Sequence, residues 1–164
     1  MKKFVTISGA ILSIIAVLLG LIDASLGFWQ FASENIIFGG FNYTYLNAFG
    51  QITRPNGNVE TLDNNIIMIV ISAVILFGAF MIILAGFMDN KGLTFLGTFL
   101  MVIAVGYFLY SLPRFEEIKF LLDITDKNPY LASIEVFDVT YKWRLGNGFF
   151  VLIFGVLTSF TGSL

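Results

Sequence analysis

Residues 66–112 read IIMIVISAVILFGAFMIILAGFM, then DNKG, then LTFLGTFLMVIAVGYFLYSL. Both apolar runs, Ile66–Met88 and Leu93–Leu112, lack Asp, Glu, Lys and Arg. Each is long enough to cross roughly 30 Å of hydrocarbon, so the pair predicts two membrane helices. Asp89, Asn90, Lys91 and Gly92 between them leave room only for a tight polar turn, with Gly92 where a helix should stop. The two helices are therefore expected as antiparallel neighbours.

Outward from this hairpin, two more runs have the same character: Phe4–Ile22, preceded by Lys2 and Lys3, and Gly148–Leu164. The first has the charged start of a secretory signal, with Ala24 before a cleavage-like position. It exceeds a signal's apolar core of roughly 7 to 15 residues and reads as a span. The chain is expected as one membrane domain, 1–164, with spans at about 4–22, 66–88, 93–112 and 148–164. Composition agrees, because 57% of the 164 residues are hydrophobic and only 12% charged, against roughly 25% charged in a soluble domain.

The chain has no Cys and no His. Disulfides, thiolate or imidazole metal sites, His-ligated haem, a catalytic Cys and a Ser-His-Asp triad are all excluded. A net charge of −2, with no run of Lys or Arg, offers nothing to nucleic acid. No charged residue lies inside any span, so a proton relay or voltage sensor has nothing to work with. Membrane lipid is the expected surrounding, no cofactor is implied, and the chain reads as non-enzymatic.

Lys2, Lys3 and Lys91 fall on one side of the membrane; Arg54, Arg114, Lys119, Lys127, Lys142 and Arg144 fall on the other. The Lys pair beside the first span decides for cytoplasmic termini in a multi-pass cell-membrane protein. The two long loops, 23–65 and 113–147, are then extracellular.

Small residues recur every seven positions in each span: Thr6, Ser13, Gly20; Ser72, Ala79, Gly86; Gly97, Ala104, Ser111; and Gly148, Gly155, Gly162. Helices associate in lipid through close approach, and a seven-residue repeat is a left-handed seam. The expected fold class is an integral membrane α+β protein, a left-handed four-helix bundle crossing near 20° beneath an external antiparallel sheet.

That sheet is read from alternation. Phe137, Val139, Tyr141, Trp143 and Leu145 alternate with Asp138, Thr140, Lys142 and Arg144, which predicts a half-buried strand. Ile134 and Val136 fall in the opposite phase, suggesting a bulge or a strand start near Val136. In the first loop Phe41, Tyr43 and Tyr45 alternate with Asn42 and Thr44, and Phe49–Thr53 and Val59–Leu62 flank an Asn56-Gly57 turn. Pro113–Ile124 reads as a short amphipathic helix with Phe115, Ile118 and Leu122 on one side. The sheet is thus expected mostly from the first loop, with one strand from the second.

Four spans, cytoplasmic termini, a strand-rich first loop and a strand before the last span together resemble the claudin and peripheral-myelin-protein group. Gly27-Phe28-Trp29 is the local counterpart of that group's W...GLW...C...C pattern, whose cysteines are absent here. The resemblance implies a tetraspan fold working through its external sheet.

Asn42-Tyr43-Thr44 is a candidate acceptor for an N-linked glycan. Asp123, Asp126 and Asn128 lack a calcium-loop spacing and read as a solvated turn, and adjacent Glu116 and Glu117 read as a polar helix face. Phe28, Trp29, Phe31, Phe41, Tyr43 and Tyr45, with Tyr141 and Trp143, are the candidate interface residues; the same rings could equally form an interfacial belt and the sheet's own core. The expected function is adhesion, self-assembly or membrane organisation through the external sheet. The alternative is an accessory subunit of a larger respiratory or transport complex.

Overall fold

A computed structural model describes residues 2–35, 41–63, 65–125, 127–136 and 139–163. Phe38, Asp126, Phe137 and Asp138 lie outside these residues, as do the side chains of Phe41 and Glu117. The helices are α1 (Lys2–Ile22), α2 (Asn65–Met88), α3 (Lys91–Ser111), α4 (Glu116–Thr125) and α5 (Asn147–Ser163). The strands are β1 (Trp29–Asn35), β2 (Phe41–Leu46), β3 (Gln51–Thr53), β4 (Val59–Thr61), β5 (Leu131–Val136) and β6 (Val139–Leu145).

By length and composition α1, α2 and α3 are able to cross a membrane, while apolar α5 is shorter. At 17 residues α5 is about 25 Å long, the low end of what a span needs. The α2–α3 turn is built differently from expectation. Asp89 takes φ +57 to end α2, the side chain of Asn90 accepts from Leu93 N–H at 3.1 Å to start α3, and Gly92 lies inside α3 rather than stopping a helix.

Helix α1 packs on α5 and α2, and α3 packs on α2 and α5. Small residues make the closest approaches possible. A Cβ on Gly9 of α1 would stand 2.5 Å from the Gly155 carbonyl of α5, and one on Gly155 would stand 2.6 Å from Ser13 Oγ. Between α2 and α3, a Cβ on Gly97 would stand 2.5 Å from the Gly78 carbonyl. Thr6, Ser13, Ser72, Ala79, Ala104 and Ser111 are all buried. Their hydroxyls bond within the protein: Ser13 Oγ donates to Gly9 O at 3.0 Å and Ser159 Oγ of α5 donates to Thr6 O of α1 at 3.2 Å. Gly86 meets a helix as expected, through the Ile7 side chain of α1, whereas two other expected seam residues serve different neighbours. Gly20 abuts Asn47 in the β2–β3 turn, and Gly148 lies against the Leu26 carbonyl beyond the end of α1.

The six strands form one antiparallel sheet in the order β4-β3-β2-β1-β6-β5. Two strands, not one, come from the second loop. The opposite phase of Ile134 and Val136 marks a separate strand, β5, which folds back on β6 so that Ile134 pairs with Tyr141. The strand before α5 is therefore interior, flanked by β1 and β5. Of the expected 49–53 strand only Gln51–Thr53 forms, because Asn47 Oδ1 accepts from both Phe49 N–H (2.9 Å) and Gln51 N–H (3.0 Å) and holds residues 47–50 in a turn. Gly57 alone takes positive φ in the 54–58 turn, closed by Arg54 N–H donating to Asn58 O at 2.9 Å.

The sheet joins the helices through aromatic rings and bare backbone. Phe28, Phe108 and Phe149 are buried together, with centroids 5.0 to 6.0 Å apart. Beside them Gly146 N–H donates to Phe28 O at 2.7 Å, an approach a Cβ on Gly146 would block by overlapping the Gly27 carbonyl.

Candidate interaction surface

Registry assigns the two sheet faces. Trp29 and Phe31 of β1 pair with Leu145 and Trp143 of β6 and with Leu46 and Thr44 of β2. Since directly paired residues point the same way, this inner face also takes Tyr141, Ile134 and Ile52. It lies over α4, whose Ile118 shares an apolar cavity of about 150 Å³ with Trp29, Phe31, Leu46, Ile52 and Leu62. Phe115 and Ile118 are buried and Leu122 half-buried, the face expected from the sequence, while Glu116, Lys119 and Asp123 are exposed.

Of the expected interface rings, Phe28, Trp29 and Trp143 are buried in this core and cannot meet a partner. Phe31 stacks on Trp29 at 6.4 Å and on Tyr141 at 5.9 Å, half-buried on the same face. Each indole N–H finds a carbonyl on the segment between α4 and β5: Trp29 Nε1 donates to Pro129 O (3.2 Å) and Trp143 Nε1 to Asn128 O (2.8 Å). Asn128 Oδ1 accepts from Tyr130 N–H at 2.8 Å and forms a turn there, whereas Asp123, read with it as part of one solvated turn, lies in α4.

The outer face carries Gln30, Ala32 and Glu34 of β1, Tyr43 and Tyr45 of β2, and Lys142 and Arg144 of β6. The alternation in β2 thus places its tyrosines outward, with Asn42 and Thr44 on the inner side. Tyr43, 37% exposed, stacks on Tyr45 with centroids 5.8 Å apart. Burial raises the Tyr45 phenol above the ordinary tyrosine range, with Tyr43 and Asp23 adding to the effect and Arg144 opposing it. Gln30, with its amide oxygen turned to Arg144, accepts from Nε and Nη2 of that guanidinium, the latter at 3.0 Å. Lys142 Nζ lies 3.4 Å from Glu34 Oε2. The result is a tyrosine pair beside one ion pair and one amide–guanidinium pair, with an open groove of about 530 Å³ between Tyr43, Arg144 and Leu131.

Gln30, Ala32 and Leu131 were not singled out by sequence reasoning. The signal for β1 was there, since Trp29 and Phe31 alternate with Gln30 and Ala32, but the interfacial-belt reading of those rings hid it. Asn42 is exposed at its strand position.

At the sheet margins, β4 is short and β5 is six residues long. Among the described residues neither has a strand on its outer side, and Leu131 of β5 is 70% exposed. Near β4, Arg54 Nη2 lies 2.6 Å from Glu60 Oε2 and holds that carboxyl below its ordinary range; near the end of α1, the Ser25 hydroxyl and backbone N–H do the same for Asp23. Among the described residues no group of three or more carboxylates is placed to hold a metal ion. No protein-family model matches the chain, and no curated protein matches it significantly.

Proposed function

We propose that the chain is a claudin-like tetraspan protein of the cell membrane, with cytoplasmic termini, a left-handed bundle of α1, α2, α3 and α5, and the sheet outside. In this reading it works without catalysis, by joining its sheet to that of a second copy. The single observation that carries it is the edge of β5, six residues that have no strand on one side among the described residues. Such an edge offers a row of N–H and C=O groups to another strand, and nature normally blunts it by bulges, covering or brevity. The wider architecture supports the family likeness: four strands of the first loop in meander order, with a second-loop strand laid beside β1. The seven-residue spacing of the buried small residues supports the left-handed crossing.

Two β5 edges meeting antiparallel about a two-fold axis would bring one residue opposite its own copy. Single cysteines at Ala132, Ser133, Ile134 and Glu135, in a chain without native cysteine, test this with a short thiol crosslinker in native membranes. A dimer band peaking at one of these positions, with none for Asn56→Cys at the hairpin tip, is the expected result. Uniform crosslinking, or none at all four, rejects the edge. Foreign subunits captured instead at Phe95 or Tyr107, exposed on α3, would favour an accessory subunit.

A further inference from the structure

At the end of the helices away from the sheet, a cavity of about 190 Å³ is walled by all four apolar helices. Lys2, Lys3 and Thr6 come from α1, Ala85 and Gly86 from α2, Lys91 and Thr94 from α3, and Gly162 from α5. Among the described residues the charged side chains around it are three lysines and one carboxylate, Asp89, which lies 2.7 Å from Lys3. Among the described residues Lys2 and Lys91 have no carboxylate partner, so two positive charges are left in excess. Helix dipoles do not decide the sign, because α1 and α3 begin here while α2 and α5 end here. The lysines do.

A second, wholly apolar groove of about 110 Å³ begins one turn further along α3, between α3 and α5, lined by Phe95, Thr98, Phe99, Val102 and Phe160. The hydroxyl of Thr98 is spent on Thr94 O of its own helix at 3.0 Å, so this groove offers a ligand no hydrogen bond. Thr94 in the cavity and Thr98 in the groove stand at i and i+4 on one face of α3, so the groove follows the cavity along that face. The α3–α5 junction is also the least extensive of the four helix contacts, which leaves the groove open to the lipid side.

Given the membrane reading of these helices, we propose that the cavity and groove together hold one anionic phospholipid. Its phosphate sits between Lys2 and Lys91, and one acyl chain lies along Phe95, Phe99 and Phe160. The excess positive charge selects a headgroup without a cation of its own and rejects phosphatidylcholine, whose choline would enter the same field. The site lies on the face that the proposed topology puts in the cytoplasm, where anionic lipid is concentrated, and it is independent of the β5 edge.

The test uses the full chain in nanodiscs of phosphatidylcholine containing a small fraction of phosphatidylglycerol, with bound lipid counted by native mass spectrometry after gentle release. One retained phosphatidylglycerol per chain is expected. Each lysine near an anionic headgroup contributes about a fivefold change in affinity, so Lys2→Gln with Lys91→Gln should weaken retention about 25-fold, while Lys142→Gln changes nothing. Val102→Phe, at an exposed position, should weaken retention of the lipid but not binding of glycerol phosphate. Unchanged melting of each variant in lipid-free detergent shows that the fold is intact. Equal retention of phosphatidylcholine, insensitivity to the two lysines, or displacement of the lipid by inorganic phosphate alone would each overturn the proposal, the last by making the cavity a site for free phosphate.

Discussion

Helix α5 has two unlike neighbours. Against α1 it presents Gly155, Ser159 and Gly162 to Gly9, Ser13 and Thr6, and the backbones come within reach of a missing Cβ. Against α3 it meets Phe95, Phe99 and Val102, and a groove remains. Without a hydrophobic force between helices in lipid, side-chain size alone decides how near two backbones come. The same helix is therefore welded on one side and ajar on the other.

The sharpest way to break this contrast is Gly155→Leu. Its Cβ already overlaps the α1 backbone and Ser13 Oγ, so relief requires separating the helices, and we expect loss of folded protein on size exclusion, a cost of about 3 kcal/mol or more. Gly97→Leu, against the Gly78 carbonyl of α2, should be nearly as severe, and Ala104→Leu milder because Ala already carries a Cβ. Gly106 provides the control on α3. It is exposed with nothing within 4 Å of a built Cβ, so Gly106→Ala should add up to about 1 kcal/mol of stability from helix propensity, read as a slightly higher melting midpoint. Leu109→Ala, half-buried, should fall between these extremes.

How much of this contrast was readable beforehand depends on the residue. Ser13, Ala79, Gly97, Ala104 and Gly155 were found by spacing because a helix repeats its face and lipid imposes no competing pattern. Gly9 and Gly78, at equally close contacts, sit outside the seven-residue frame; Gly9 lies between Thr6 and Ser13 on the same α5-facing side, at an i+3 position that a strict count of seven skips. Gly148 and Gly20 were read as helix seams although they serve the joint between helices and sheet, which local sequence cannot announce. In the sheet, alternation located β6 and β2. It left open which side of β2 is wet, where Tyr43 and Tyr45 stack on each other on the outer face. Pairing order, set by contacts more than 100 residues apart such as Trp29 with Leu145, has no local signature.

The smallest expected effect lies in the cap and tests whether its charges matter as the seams do. Glu60 and Asp23 are held below the ordinary carboxylate range by Arg54 and by Ser25. A depressed carboxyl contributes stability above its unfolded value, near 4, and loses it as pH falls through the lower folded value. Cap stability should therefore decline on acidification below about pH 4, and Glu60→Gln should flatten that decline a little. Both groups are exposed, so the decline should be shallow.

Both tryptophans of the chain, Trp29 and Trp143, lie on the inner sheet face with their indole N–H groups fixed to neighbouring carbonyls at 128 and 129. Intrinsic indole emission consequently originates wholly in the cap, and the apolar helices are dark to it. A shift of that emission to the red during denaturation follows the sheet parting from α4, while loss of helical circular dichroism follows the rest of the chain. If the two traces separate in denaturant, the cap melts as an independent cooperative unit on a bundle that is still standing.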